Sequence, residues 1–170
     1  MKILNISPEN IITMNDYPVY NPHILKILFR IFQLGDSKIV PPCPCLKKEQ
    51  VLNGINTKIK KKLIDFFKLN PNVEYFLIDG SHKSTAAYLT KNKVRIMVFE
   101  SNEDINEAKK LVEIGELFSL TVGSTINDNI KILDNHFKDN KTFFTVASKA
   151  RKMIDEKVIP DYMIKYHESN

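Results

Sequence analysis

The sequence predicts a mixed α+β fold, in which a small mixed sheet with packed helices is followed by a helical C-terminal extension. Apolar runs typical of strands occur in the first hundred residues, and the β-branched and aromatic run at residues 94–99 is the clearest. Beyond residue 100 the apolar residues recur with helical spacing. The chain has 170 residues, of which 43% are hydrophobic and 26% charged, so it has enough apolar material for a real core.

Strands and helices alternate in the predicted first part of the chain. The patterns predict short strands within residues 1–13 and at 38–40, helices over 23–34 and 47–69, a strand at 74–78, a helix over 81–91 and a strand at 94–99. Asn21 and Pro22 suit the N-cap and the first position of the first helix, and Gly35 ends it.

Three further helices are predicted in the second part, over residues 102–117, 124–137 and 145–157. We therefore expect two units: residues 1–100, which contain the sheet, and residues 101–170, a helical extension packed on it. The strand, helix and strand at residues 74–99 form the most clearly predicted unit of the chain.

The composition argues against several classes of protein. No apolar run approaches the roughly 20 residues of a membrane span, and the N-terminus lacks the features of a secretory signal, so we expect a cytoplasmic protein without a membrane partner. Cys43 and Cys45 are too close for an unstrained disulfide. We expect them to be small apolar side chains in a proline-rich turn, and we predict no protein metal site of cysteine and histidine.

The positive charge of the chain is concentrated in one segment. Between Lys47 and Lys93 there are ten lysines and four acidic residues, a net charge of +6, whereas the whole chain carries +5. A local basic excess favours a phosphate-bearing partner, either a nucleotide or a nucleic acid bound through this segment. Lysine-rich helix faces are also common as solvated surfaces, and the sequence leaves that alternative open.

A polar turn lies between the strand at 74–78 and the helix at 81–91. Backbone N–H groups at a helix N-terminus form an anion site, and a glycine there lets a ligand come close. The residues predicted to bind phosphate are Gly80, Ser81, His82, Lys83, Ser84 and Thr85. Asp79 is predicted to accept a proton, hold a metal ion or orient His82, and His82 is predicted to donate a hydrogen bond or transfer a proton. The alternative is a helix capped by Ser81, with His82 merely exposed.

Residues 78–87, Ile-Asp-Gly-Ser-His-Lys-Ser-Thr-Ala-Ala, resemble the D-G-x-H-R-x-x-A-A box of the ParB/sulfiredoxin superfamily. This superfamily includes ParB partition proteins, ParB-like nucleases, sulfiredoxin and free-serine kinases. The order of predicted elements is similar over residues 3–99, including a Val-Pro-Pro strand end at residues 40–42. The resemblance implies a ParB/sulfiredoxin-like fold for residues 1–100, with nucleotide phosphates bound where the helix of the box begins.

The chain departs from the family pattern at several positions. Lys83 stands where the family usually has arginine, which keeps the charge and loses the bidentate fork. Ser81 takes the place of the nucleophilic cysteine of sulfiredoxin, which argues against that activity. Residues 45–72 look like an insertion. No recognition helix with base-reading side chains follows residue 99, which argues against centromere binding.

The resemblance implies, first, a nucleotide-dependent phosphotransferase or nucleotide hydrolase of the free-serine-kinase type. It would use a nucleotide (ATP, ADP or CTP) with Mg²⁺ and, as a kinase, a small hydroxyl-bearing acceptor. An acid near the N-terminus is the base in that family, and Asp16 lies in the matching stretch. The family would have glutamate there, and the residue type of Asp16 favours a role in a turn over a role as base. His82 would stabilise the transferring group, and Asp79 would position the metal or His82.

Two other functions stay open. A ParB-like DNA-binding protein or nuclease would track a phosphate backbone with the lysines between Lys47 and Lys93, although the chain has only three arginines and no tryptophan. A non-catalytic module would bind a nucleotide as a signal and contact a partner through its C-terminal helices. Such a module needs the same phosphate cradle as the enzyme, so the sequence does not separate the two.

Overall fold

The computed structural model describes residues 1–14, 16–19, 21–117, 120–140 and 142–170. Within them the chain forms five strands and eight α-helices. In chain order they are β1 (Lys2–Ile6), β2 (Ile11–Ile12), α1 (Pro22–Gln33), β3 (Cys43–Lys47), α2 (Lys48–Gly54), α3 (Thr57–Leu69), β4 (Tyr75–Leu77), α4 (Ser81–Leu89), β5 (Val94–Val98), α5 (Asn102–Glu113), α6 (Ile126–Phe137), α7 (Val146–Asp155) and α8 (Asp161–Ser169). The predicted α+β class, with a small mixed sheet and a helical C-terminal part, is confirmed.

The five strands form one mixed sheet with the order β1-β5-β3-β4-β2. β5 pairs antiparallel with β1 and parallel with β3, and Cys43 lies opposite Ile96 in the second pair. β4 pairs antiparallel with β3 and parallel with β2. The two strands that flank α4 in the sequence are therefore separated by β3, so α4 crosses over one strand on its way from β4 to β5.

Helices cover both faces of this sheet, and each face has its own core. Ile96 and Val98 of β5 pack with residues of α1, α4, α7 and α8 on one face. Met97 and Phe99 pack with residues of α2, α3, α5 and α6 on the other. This alternation follows from the two-residue period of a strand and explains why Ile96, Met97 and Val98 are all apolar and buried. A fully buried side chain such as Phe99 contributes about 1.5–3 kcal/mol to stability.

The region before β4 differs from the prediction. The strand expected at residues 38–40 is wrong, because Ser37–Ile39 forms a 3₁₀ turn and the strand is Cys43–Lys47. The proline-rich turn expected around Cys43 and Cys45 is therefore wrong as well. Strand formation requires partners, and residues 43–47 lie between β4 and β5, where both sides offer backbone hydrogen bonds.

The single helix expected over residues 47–69 is two helices. Lys47 ends β3, α2 ends at Gly54, and α3 begins after Asn56, whose side chain accepts a hydrogen bond from the backbone N–H of Lys58. An Asn cap of this kind is a strong local start signal that competes with the continuous helical period. The last helix, α8, was not predicted; it is nine residues long and begins directly after Pro160.

Candidate functional site at the N-terminus of helix α4

The turn between β4 and α4 depends on Gly80. This residue has φ +106° and occupies the N-cap position, so Ser81 is the first residue of the helix and not its cap. A Cβ atom on Gly80 would lie 2.6 Å from Cys43 Sγ and 3.1 Å from Lys83 Cε. Only glycine avoids both the backbone strain and this clash. Burial raises the pKa of the Cys43 thiol to about 11, so Cys43 stays protonated near neutral pH and acts as packing beneath the turn.

Asp79 lies at the mouth of this turn and is partly exposed. Its Oδ1 accepts a hydrogen bond from the backbone N–H of Gly80 at 2.7 Å, and its Oδ2 lies 3.4 Å from the backbone N of Thr121. The N–H of Gly80, one of the donors expected to bind phosphate, therefore already donates to the Asp79 carboxylate. The carboxylate also joins the turn to the segment that precedes α6.

Asp16 reaches the first turn of α4 from a distant part of the sequence. Its Oδ1 accepts hydrogen bonds from Ser81 Oγ and from Lys149 Nζ, both at 2.9 Å. The Asp16 side chain is 32% exposed, whereas that of Lys149 is 0% exposed. A buried ammonium therefore has one carboxylate partner, and this carboxylate is also held by the hydroxyl at the helix N-terminus. We call Asp16, Ser81 and Lys149 the α4 cluster.

Lys149 was not predicted from the sequence. It lies on α7, one turn after Thr145, whose side chain caps the helix by accepting from the Ser148 N–H. Its position had a detectable signal, because it interrupts an apolar stripe formed by Val146, Ala150 and Met153, all of which are buried. Burial lowers the pKa of Lys149, and the charge and hydrogen bond of Asp16 oppose this shift.

His82 ties the first helix of the chain to the same turn. Its Nε2 accepts a hydrogen bond from the backbone N–H of Asn21 at 3.1 Å, and the Asn21 side chain in turn caps α1. Burial is the main cause that lowers the pKa of His82, and Lys149 lowers it further, while Asp16 and Asp79 oppose the shift. His82 is therefore neutral near pH 7 and has its proton on Nδ1. This geometry supports a positioning role.

The remaining residues of the motif face elsewhere. Lys83 is two positions from Ser81 and so projects from a different face of α4, where its Nζ lies 3.5 Å from the Pro42 carbonyl oxygen. Ser84 and Thr85 are fully buried. The Ser84 hydroxyl donates to the Ser81 carbonyl oxygen, and Thr85 Oγ1 has no hydrogen-bond partner within the described residues. A ligand at the surface of the turn cannot contact either hydroxyl as they lie here.

The lysines between Lys47 and Lys93 lie on several elements of the fold. Several have intramolecular contacts of their own: Lys47 with Glu100, Lys48 over the Phe67 ring, Lys62 with the Asn140 carbonyl, Lys68 with Asp65 and Lys83 with the Pro42 carbonyl. They are distributed over β3, α2, α3 and α4. Five of the ten lysines of the basic segment therefore make contacts within the protein that a phosphate backbone would have to share or replace.

Two classes of feature are absent from the described part of the chain. It contains no group of three or more histidine, cysteine, aspartate or glutamate side chains arranged to hold a metal ion. Nor does it contain a helix with the length and apolar character required to cross a bilayer. Comparison of the chain with protein-family models, with curated proteins and with solved structures finds no match in any of the three.

Proposed function

We propose that the protein binds a nucleotide through its phosphates at the N-terminus of α4 and transfers or hydrolyses the terminal phosphoryl group. One observation carries this proposal: the carboxylate of Asp16, 65 residues away from Ser81 in the sequence, is held at the first turn of α4 by the Ser81 hydroxyl and the Lys149 ammonium. The resemblance of residues 78–87 to the ParB/sulfiredoxin box supports the same proposal.

The electrostatics of the turn favour a nucleotide that arrives with a divalent cation. Asp16 and Asp79 offset the formal charges of Lys149 and Lys83, so the positive end of the α4 dipole is the remaining attraction for an anion. Mg²⁺ is commonly held by one or two carboxylates together with substrate phosphates, and the donor set of this turn fits that pattern. Asp79 would hold the ion, which would neutralise charge on the phosphates.

In this proposal, Asp16 is the general base. Both hydrogen bonds that Asp16 makes with described side chains are on Oδ1, so Oδ2 is the oxygen to which an acceptor hydroxyl or a water would donate its proton. The phosphoryl group passes to the acceptor oxygen as its bond to the nucleotide leaving oxygen breaks. Lys149 and Ser81 position the carboxylate, and His82 keeps α1 against the turn. Phosphoryl transfer depends mainly on such positioning and on charge neutralisation.

Calorimetric titration with ATP, ADP and CTP, with and without Mg²⁺, tests this proposal. We expect Mg²⁺-dependent binding to the wild-type chain. Asp79→Asn keeps an oxygen to accept from the Gly80 N–H but removes the charge, and should weaken Mg²⁺–nucleotide binding about tenfold or more. Asp65→Asn removes the same charge from an exposed residue of α3 and should have no effect.

Turnover separates the enzyme from the non-catalytic module. Asp16→Asn should retain nucleotide binding and lose phosphoryl transfer or hydrolysis by about 10²-fold or more, since a positioned base typically contributes that much. Binding without turnover in the wild-type chain, with water and small alcohols as acceptors, would select the module. Absence of binding at millimolar nucleotide, together with salt-dependent binding of DNA, would instead select the nucleic-acid function.

A further inference from the structure

A concave pocket of about 300 Å³ lies at the opposite end of α4 from the cluster. Its walls are formed by α4 and the turn that follows it, by α7 and α8, and by the 3₁₀ turn at Pro8–Asn10. The side chains that matter for its chemistry are Glu9, Tyr88, Lys91, Lys93, Arg151 and His167. We call this the basic pocket. Its volume is at the lower end of the range for small-molecule sites.

The permanent charges of the basic pocket are three cations and one carboxylate. Among the described residues, the salt bridges involve neither Lys91, Lys93 nor Arg151. The pocket therefore differs from the α4 cluster, where the ammonium has a carboxylate partner. Asp155 and Glu9 act on Arg151 through space, but the cations still outnumber the one carboxylate that lines the pocket. An excess of cations around a concave surface raises the local potential and attracts anions.

Lys91 has an uncommon backbone conformation. Lys91 has φ +59° and directly follows the C-cap of α4. Its N–H donates to the Tyr88 carbonyl, and the N–H of Asn92 donates to the Ala87 carbonyl, which is the helix ending that normally has glycine at this position. A lysine here strains the backbone. Lys157 has the same conformation at the end of α7, outside the pocket, so the strain by itself does not mark a ligand site.

Two aromatic residues fix the other donors of the pocket. The rings of Tyr88 and His167 stack with their centroids 4.8 Å apart, and His167 Nδ1 lies 3.3 Å from the Leu89 carbonyl oxygen. Because a carbonyl only accepts, Nδ1 carries the proton and Nε2 is the nitrogen that titrates. Arg151 Nη2 lies 3.5 Å from Tyr88 Oη, which orients the guanidinium.

We propose that the basic pocket binds the phosphate group of a small phosphate monoester, with Lys91, Lys93, Arg151 and His167 as its donors. This is a second site, separate from the nucleotide phosphates at the other end of α4, and it does not depend on the proposed phosphotransferase activity. The dianion of a monoester matches three cations and one carboxylate better than the single charge of a phosphodiester. The small volume of the pocket and the carboxylate of Glu9 disfavour a long polyanion.

Binding is expected to involve His167. Burial is the main cause that lowers the pKa of His167, and Lys91 and Arg151 lower it further. Charged or titratable groups face the imidazole from α4 and its following turn (Tyr88, Lys91) and from α7 (Arg151). A bound dianion would offset the two cations, so the pKa of His167 rises and Nε2 becomes a fourth donor.

The test is an NMR titration of the ¹⁵N-labelled full chain with ribose 5-phosphate and, separately, with inorganic phosphate, at constant ionic strength. Ribose 5-phosphate has no base and so does not probe a nucleotide site as ATP does. We expect saturable shifts at residues 91–93, at Arg151 and at the His167 ring, and a higher pKa for His167 in the saturated protein. Inorganic phosphate should give the same pattern of shifts if the phosphate group alone is recognised. If the ribose also contributes, inorganic phosphate should bind more weakly than ribose 5-phosphate.

The chain offers a closely matched pair of variants. Lys91→Gly removes one cation from the pocket and relieves its backbone strain. Lys157→Gly makes the same change at the only other non-glycine residue with positive φ in the described part of the chain, at φ +53° after α7, outside the pocket. Lys91→Gly should weaken ribose 5-phosphate binding about tenfold, since a hydrogen bond between charged groups contributes about that factor. Lys157→Gly should leave the affinity within about twofold.

Both variants should unfold at the same or a higher urea concentration than the wild-type chain, so loss of folding cannot explain a loss of binding. Equal weakening by the two substitutions would overturn the proposal, because it would indicate general charge screening. Shifts confined to residues 79–83 would overturn it too, as would binding of single-stranded nucleic acid with no response to either phosphate probe. Asp79→Asn affects only the nucleotide proposal, so the two proposals fail separately.

Discussion

The two ends of helix α4 treat charge in opposite ways. At the N-terminus, Lys149 is completely buried and its ammonium contacts the carboxylate of Asp16. At the C-terminus, Lys91, Lys93 and Arg151 surround a pocket and are absent from the salt bridges of the described residues. A buried charge must be paired, so the contact between Lys149 and Asp16 serves mainly to hold these two side chains in place. Exposed cations that form no salt bridge with the described residues remain available to a ligand, which is why we assign the two ends different tasks.

The two ends also differ in why a left-handed residue is present. Gly80 is required by its φ angle and by the lack of space for a Cβ against Cys43. Lys91 has the left-handed conformation without being glycine. The residue at position 80 is therefore constrained to glycine by packing. Lys91 keeps a side chain although its positive φ favours glycine. Substitutions at the two ends of α4 should therefore differ in their effect on stability, with the largest loss expected at Gly80.

Gly80→Ala should destabilise the protein most, by about 3 kcal/mol, because strain at positive φ and overpacking against a buried residue add together. The matched control is Gly35→Ala, since Gly35 has φ +85° and no atom within 4 Å of the position of a Cβ. It should lose only about 1 kcal/mol, the backbone contribution. Urea unfolding followed by circular dichroism measures both values. Equal losses for the two variants would contradict the packing argument.

Asp16→Asn should reduce the unfolding free energy by about 2 kcal/mol, because it leaves the buried ammonium of Lys149 without a charged partner. The value is below that for a fully buried pair because Asp16 is 32% exposed. Lys149→Met in the Asp16→Asn background should recover most of the loss. A double-mutant cycle gives the coupling between the two residues. A coupling near zero would show that the pair does not stabilise the cluster.

The pH dependence of stability sharpens the same comparison. Burial lowers the pKa of Lys149 below 10.5, the ordinary value of a lysine, so between the folded-state pKa and 10.5 the unfolded chain binds more protons than the folded chain. Stability contributed by this group therefore rises with pH in that interval. We expect the wild-type chain to gain stability relative to Lys149→Met as the pH is raised from 7 to 10. A constant difference in urea midpoints would refute a shifted lysine.

Tyr88→Phe should have the smallest effect on stability, within about 1 kcal/mol, because the ring still stacks on His167 and only a long contact to Arg151 is lost. Ribose 5-phosphate affinity should nevertheless decrease about two- to threefold, since the guanidinium is less well oriented. Unchanged stability with reduced affinity is the pattern expected of an exposed ligand site. A large loss of stability would mean that the C-terminal end of α4 is structural, like the N-terminal end.

Local sequence patterns predicted the elements with strong local signals. Helix α1 begins where Asn21 and Pro22 indicate, and β5 coincides with the β-branched run at residues 94–98. The predicted strand at residues 38–40 and the single helix over 47–69 were wrong, because strand pairing and the Asn56 cap decided those boundaries. The turn at Gly80 was recognisable since its polar residues are contiguous in the sequence.

The sequence by itself determined the α+β class, the turn at Gly80 and the acid in the stretch that contains Asp16. Only the tertiary structure decided that Asp16 meets Ser81, that Lys149 is its partner, and that Lys91, Arg151 and His167 share a pocket. The physical reason is range. Caps, turns and periodicity act within a few residues, whereas Asp16 and Lys149 are 133 residues apart. They meet because Ile12, at the end of β2, pairs with Thr145, which caps α7.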